Sequence, residues 1–330
     1  LTLRADFFTR FLPPSQYMIS IRAQLQKCFT RQVLRRCLSA AQPLQQQRRW
    51  LDRLGRLTPL PWGTQIESCD IDGIPAEWVS VGQTDKQPVL LYLHGGGYCI
   101  GSSRSHRNIA ARLARGLGCR ALLPDYRRAP EHPFPAPLQD VLRVYRALLA
   151  RGIPASRIVL AGDSAGGGLA LASCMLLRQL GIELPRAILC ISPWVDLSQS
   201  GTALQAQADL DPMVSHDWIE CLAGHYARDE DRRHPLISPL FGNFDQFPPV
   251  LLQLGGDEIL RGQVEQLHRR MCHAGVDSQL QLAAGMWHVW PLFGGLMPEA
   301  DSAIRDAVAF LRQQLGLQQQ PAGVPQAAAA

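Results

Sequence analysis

Gly162-Asp163-Ser164-Ala165-Gly166-Gly167 decides the reading of this chain. The apolar run Arg157-Ile158-Val159-Leu160-Ala161 leads into it, and an alanine- and leucine-rich stretch follows. The order is strand, tight turn, helix, with a serine at the turn. Its neighbours are small because so sharp a turn takes the backbone through strained dihedrals and packs it closely. That strain leaves the hydroxyl exposed at a helix N-terminus, where developing negative charge is stabilised. Ser164 is therefore a candidate nucleophile; the plain alternative is a glycine-rich connection that cradles a phosphate.

A second glycine cluster, His94-Gly95-Gly96-Gly97-Tyr98, closes the apolar run Val89-Leu90-Leu91-Tyr92-Leu93. Glycines after a buried strand let backbone N–H groups approach a ligand with no side chain in the way. Gly95 and Gly96, with Ala165 next after the serine, are the expected donors of an oxyanion hole. Neither cluster fits G-x-G-x-x-G with a distant acidic residue, nor G-x-x-x-x-G-K-[ST]. The phosphate reading is thereby the poorer one.

A serine hydroxyl needs a base, and the base needs an orienting acid. Beyond the strand-like run Val250-Leu251-Leu252-Gln253-Leu254 lie His268, His273 and His288. His268 and His273 fall in an amphipathic stretch, Leu260 to Ala274, and read as helix surface. His288 follows the alternating strand Ser278 to Leu282 and the turn residue Gly285, in the loop where a base is expected. The run at 250–254 ends in Gly255-Gly256-Asp257-Glu258, so a carboxylate stands just past a strand's C-terminal end, where open α/β sheets build their sites. Asp257 is preferred because it comes first after the glycines, with Glu258 as its competitor.

These motifs resemble the hormone-sensitive lipase family of α/β-hydrolases, in its bacterial esterase branch, from about Leu90 to Trp290. Further matching segments are Asp125-Tyr126-Arg127-Arg128-Ala129-Pro130-Glu131, Ser192-Pro193-Trp194-Val195-Asp196-Leu197-Ser198, Ser238-Pro239-Leu240 and Gly285-Met286-Trp287-His288. The resemblance implies a Ser164–Asp257–His288 triad, an oxyanion hole from Gly95, Gly96 and Ala165, and hydrolysis of carboxylic esters without cofactor or metal. Two positions depart from the pattern: Arg128 where an apolar residue is common, and Trp290 where phenylalanine is common and a pocket would be narrowed.

Strands alternating with helices over most of the chain predict an α/β fold, a mostly parallel sheet covered on both faces. Strands are expected near 89–93, 120–123, 157–161, 186–191, 250–254 and 278–282, with edge strands Gln65–Ser68 and Trp78–Val81 around Asp72-Gly73. Residues 64–196 and 244–317 form the expected catalytic domain, 1–63 and 197–243 two cap segments, and 318–330 a low-complexity tail.

Composition excludes several classes. There is no internal repeat, no apolar run long enough to span a bilayer, and no metal-ligand spacing among His and Cys. Nine scattered cysteines without a C-x-x-C pair point to reduced thiols. Arg4, Asp6 and Arg10 interrupt the apolar start, so no signal peptide is read and a cytoplasmic location is expected; Leu1 in place of methionine points to missing or processed residues. The net charge of +5 conceals +9 within residues 1–56 and −4 in the remainder. Ile21, Leu25, Phe29, Val33 and Cys37 recur there at helical spacing, with arginines between them. A cap helix laying that apolar face over the site is favoured over attachment to an anionic membrane, and nucleic-acid binding is weaker still.

The expected substrate is a small-molecule ester with a short to medium acyl chain, with lactones and amides of the same chemistry as alternatives. Tyr98 and Trp290 are the candidate substrate-binding residues, and Trp194, Trp218 and Trp287 are further aromatic residues for an apolar pocket. A non-catalytic receptor on the same fold could dispense with the base, which is present here. A homodimer paired through an edge strand is compatible with such a sheet.

Overall fold

Strand β5 (Ile158–Asp163) is buried at every residue and lies mid-sheet, which fixes the stage for Ser164 at its C-terminal end. The computed structural model describes residues 19–82, 84, 88–198 and 209–318. The other strands are β1 (Thr64–Ile71), β2 (Ile74–Val81), β3 (Val89–Leu93), β4 (Arg120–Pro124), β6 (Ala187–Ile191), β7 (Val250–Gly255) and β8 (Ser278–Ala283). They form one sheet in the order β1-β2-β4-β3-β5-β6-β7-β8, parallel from β4 to β8, with β2 antiparallel to both its neighbours.

The runs at 89–93, 158–163 and 250–255 are buried at every residue and mostly apolar, because both faces of a parallel sheet are covered. Alternate side chains serve two cores. Leu91, Leu93 and Leu160 pack with helices α5 (Ala136–Ala150), α6 (Ala165–Gln179) and α8 (Arg261–His273). Leu90, Tyr92 and Val159 pack with α4 (Ser103–Leu117) and α9 (Pro298–Leu315). Each such aliphatic or aromatic side chain contributes about 1.5–3 kcal/mol by leaving water.

The edge strands run longer than their expected cores, from 64 to 71 and from 74 to 81. β1 is an edge strand exposed on both faces from Gln65 to Ser68, so its residues carry little apolar signal. The two-residue turn Asp72-Gly73 has φ of +54° and +78°, the hairpin geometry that matches strand twist, and Asp70 Oδ1 accepts from Gly73 N at 2.7 Å.

The N-terminal segment is helical: α1 (Ile21–Phe29), a wide turn at Thr30–Leu34, α2 (Arg35–Cys37) and α3 (Leu44–Leu57). Its orientation corrects the sequence reading. Ile21 is 75% exposed and Leu25 68%, with Phe29 and Val33 also outward. The inward face is Ala23, Thr30, Leu34 and Leu38. The helix is rolled this way because Lys27, Arg31 and Arg35 bond to groups on the body of the protein. Helix α7 (His216–Ala227) occupies the stretch expected to be helical at 217–226. Parts of the expected cap segments, 1–18 and 199–208, and 319–330 of the tail lie outside the described residues.

Candidate active site

The turn after β5 puts Ser164 at φ +51°, ψ −122°, a strained conformation for a residue with a side chain. Close packing forces the glycines beside it. A Cβ on Gly166 would lie 2.0 Å from Leu93 O, so only glycine lets α6 begin directly beneath β3. Held there, the Ser164 hydroxyl donates to His288 Nε2 at 2.9 Å.

His288 Nδ1 in turn lies 3.2 Å from Glu258 Oε2. Here the structure corrects the expected acid. The Asp257 carboxylate turns outward to Lys27 Nζ at 2.5 Å, while Glu258 is fully buried. The turn after β7 decides which of the two faces inward: Asp257 N donates to Met286 O, and Gly255 N donates to Glu258 Oε1. Ser192 Oγ also donates to Glu258 Oε1, at 2.5 Å, and accepts from Val289 N at 3.1 Å. One hydroxyl therefore braces both the acid and the loop of the base. Burial alone would lower the pKa of His288, but the Glu258 hydrogen bond and charge, helped by Asp211 and Asp163, raise it above the ordinary histidine value.

The oxyanion-hole expectation also shifts by one residue. Gly95 N donates to Asp163 Oδ1 at 3.1 Å and so turns away from the serine. Asp163 is itself buried and ion-paired with His106 Nε2 at 3.3 Å, and it accepts from Tyr92 Oη at 2.8 Å. Burial pushes its carboxyl up, but His106 and these donors outweigh that and hold it below the ordinary aspartate value. Behind the same loop, burial pushes His94 down to about 3, so it is neutral and donates from Nδ1 to Gly95 O. Gly96 and Gly97 line the cavity at Ser164, and their N–H groups meet no acceptor among the described residues. Ala165 is the first residue of α6, where a helix N–H has no partner within the helix. Of the expected Gly95, Gly96 and Ala165, Gly95 is thus engaged elsewhere, while Gly97 joins Gly96 in lining the cavity. Three adjacent glycines carry no sequence signal that separates the outer from the inner one.

The cavity above Ser164 is apolar. The N-terminal helical segment supplies Leu38 and Leu51, and the 211–227 stretch supplies Met213, Val214, Trp218, Ile219 and Leu222. Trp218 Nε1 donates to Gln47 Oε1 at 2.9 Å, tying the two segments together. Asp211, which the sequence reading did not single out, is buried and organises this wall. Its Oδ1 accepts from Met213 N and Val214 N, and its Oδ2 from Ile259 N, next to Glu258. Burial raises the pKa of this carboxyl.

The two candidate pocket residues lie elsewhere. Tyr98 is buried and stacked on Tyr226, with ring centroids 3.7 Å apart, and does not line the cavity. Trp290 is buried facing a separate hollow beside β8, lined also by Leu282 and Glu299. Of the other aromatics, Trp194 and Trp218 line the site and Trp287 does not. Among the described residues no cluster of His, Cys, Asp and Glu could hold a metal ion, and no helix is long and apolar enough to cross a membrane.

A hydroxyl, an imidazole and a buried carboxylate in hydrogen-bond sequence, beside free backbone donors, make a proton relay suited to acyl transfer. Comparison with known proteins gives the same class. A model of the α/β-hydrolase fold matches residues 90–292. A crystal structure of an esterase from the bacterial hormone-sensitive lipase family superposes with a TM-score of 0.86 at 39% identity, covering 91% of this chain and all of that one. An acetyl-hydrolase of Streptomyces hygroscopicus is 40% identical over 73% of this chain and 80% of its own length. An ethyl acetate hydrolase of Pseudomonas putida is 33% identical over 68% of this chain and 73% of its own. The molecule is an α/β-hydrolase. Within that class, the chain belongs to the hormone-sensitive lipase family.

Proposed function

We propose that this protein is a serine carboxylesterase in which Ser164, His288 and Glu258 form the relay and Gly96, Gly97 and Ala165 the oxyanion hole. The observation that carries this reading is the continuous chain from Ser164 Oγ through His288 to Glu258, at 2.9 and 3.2 Å. Ser164 attacks the ester carbonyl as His288 Nε2 takes its proton; Glu258 holds the imidazole tautomer and stabilises the imidazolium. The backbone donors receive the tetrahedral oxyanion, each worth about 2.7–4 kcal/mol to the transition state. His288 then protonates the leaving alcohol, and water repeats the sequence on the acyl-enzyme.

Small acyl groups are the proposed substrates. The cavity's solvent-accessible volume is about 70 Å³. So small an apolar space suits a short acyl chain rather than a long one. The N-terminal helices and the 211–227 segment act in this reading as a cap, because both contribute apolar walls to the cavity. The sheet ends at β1 and β8, and pairing of two copies at an edge belongs to the same proposal; light scattering after gel filtration reads it.

The test is inactivation by a serine-directed organophosphonate followed by peptide mass spectrometry. Labelling of Ser164, with no turnover of p-nitrophenyl esters by Ser164→Ala, is expected. Labelling elsewhere, or turnover by that variant, overturns the assignment.

A further inference from the structure

Asp257 has a partner far away in sequence. Lys27 Nζ donates to Asp257 Oδ2 at 2.5 Å and to Gly285 O at 3.2 Å. The first acceptor belongs to the residue before Glu258, the second to the residue three before His288. One ammonium, projecting from α1, thus joins the turn that carries the acid to the loop that carries the base. Those two segments already share Gly256 N to Ala283 O and Asp257 N to Met286 O. Lys27 adds a side-chain tie from α1 to both of them, and it does so where both ion-pair partners are mostly shielded, at 24% and 28% exposure.

The rest of the N-terminal helical segment is docked by other contacts. Ser20 N and Oγ donate to Glu299 on α9, and Arg31 and Arg35 donate to the carbonyls of Leu210 and Asp211. Only Ala23 of α1 is buried, so packing does little to hold this helix. Eleven residues after Lys27 the chain reaches Leu38, which is buried and lines the cavity above Ser164. Seating of Lys27 therefore seats part of the cavity wall as well.

We propose that Lys27 is a positioning residue, whose bridge to Asp257 and Gly285 locks the N-terminal helix onto the two segments that carry Glu258 and His288. Docking of the cavity wall and alignment of the relay become one event. The inference rests on the relay reading above and extends it to a residue that touches neither substrate nor reacting atoms.

Kinetics of Lys27→Met, Lys27→Arg and Asp257→Asn with p-nitrophenyl acetate and butyrate test it, with melting curves to verify folding. Misalignment on the ångström scale is felt strongly in turnover, so Lys27→Met is expected to lower kcat on the order of tenfold, with a smaller change in KM. Asp257→Asn is expected to match it and serves if Lys27→Met does not fold. The double variant is expected to be no worse than either single one, because both remove the same bond. Lys27→Arg keeps the charge and restores most of the rate. Ser20→Ala loosens the same helix at Glu299 without touching either segment, and its kcat is expected to stay at the wild-type level.

Wild-type kcat in Lys27→Met and Asp257→Asn, additive losses in the double variant, or an equal loss in Ser20→Ala would overturn the role of Lys27. Failure of the relay reading looks different: Ser164→Ala would then retain turnover. An inactive Ser164→Ala beside an unaffected Lys27→Met removes the positioning role alone.

Discussion

Asp257 and Glu258 are adjacent in sequence yet belong to different structures: Glu258 reaches His288 Nδ1 at 3.2 Å, and Asp257 reaches Lys27 Nζ at 2.5 Å. The division makes a sharp prediction for two conservative substitutions. Glu258→Gln removes the charge that stabilises the imidazolium and is expected to lower kcat by about 10⁴-fold, the scale seen when a relay acid becomes an amide. Asp257→Asn, one residue away, is expected to lose only on the order of tenfold, as for a misaligned site. Steady-state kcat of the two variants with the same ester reads the difference. Equal losses would contradict the assignment of the acid.

That division also shows where sequence reading stops. The strands at 89–93, 158–163 and 250–255 could be placed within a residue or two, because each is a mostly apolar run that leads within two residues into a glycine-bearing turn. Ser164 and His288 stood out for a related reason, since Ser164 follows β5 directly, His288 lies in the loop after β8, and neither has a rival of its type in its loop. The acid had a rival beside it. Which carboxylate turns inward depends on Met286, Ser192 and Lys27, and the last is 230 positions away. The glycine loop posed the same difficulty, because Asp163 takes the N–H of Gly95, one of three identical glycines. Leu38, Leu51 and Met213 meet at the cavity only after folding, and their local sequence gives no hint of it. Tyr98 looked like a pocket residue by position, but its ring is taken by Tyr226.

The pH profile follows from the state of His288. Its pKa lies above the ordinary value of about 6.5, since Glu258 outweighs burial. Only the neutral imidazole accepts the Ser164 proton, so kcat/KM is expected to rise with pH through a midpoint above that value and to fall on the acid side. Removing the charge in Glu258→Gln should move the midpoint of residual activity to lower pH, because a cationic ring then lacks its stabilising partner. A pH series of kcat/KM for both proteins measures the displacement; a midpoint that stays put would sink the coupling.

Behind the oxyanion loop, the Asp163–His106 pair is a stability element. Both side chains are buried, and Asp163 also takes the hydrogen bonds of Tyr92 and Gly95. Asp163→Ala leaves His106 without its partner and two donors without an acceptor. Loss of one member of a buried pair costs about 3–5 kcal/mol, and a comparable loss of unfolding free energy is expected here. Denaturant unfolding of the variant gives the figure. A change under about 1 kcal/mol, the scale of an exposed pair, would mean that water reaches this site.

Acyl-chain preference is the property most directly written in the cavity wall. Leu38 is buried and lines the space above Ser164, and it approaches from a helical segment rather than from the sheet. Leu38→Ala removes three carbons from the wall without touching the relay or the oxyanion donors. A methylene fitted into an apolar pocket is worth about 1–3 kcal/mol, or roughly 10–200-fold in specificity. The ratio of kcat/KM for p-nitrophenyl hexanoate over acetate is therefore expected to rise by about tenfold or more in Leu38→Ala. Activity on acetate should change little, since the shorter acyl group does not fill the vacated space. Competition between the two esters in one reaction measures the ratio directly. A ratio equal to that of the parent would show that Leu38 does not bound the acyl site, and the limit on chain length would then lie with Val214, Ile219 or Leu222 on the facing wall.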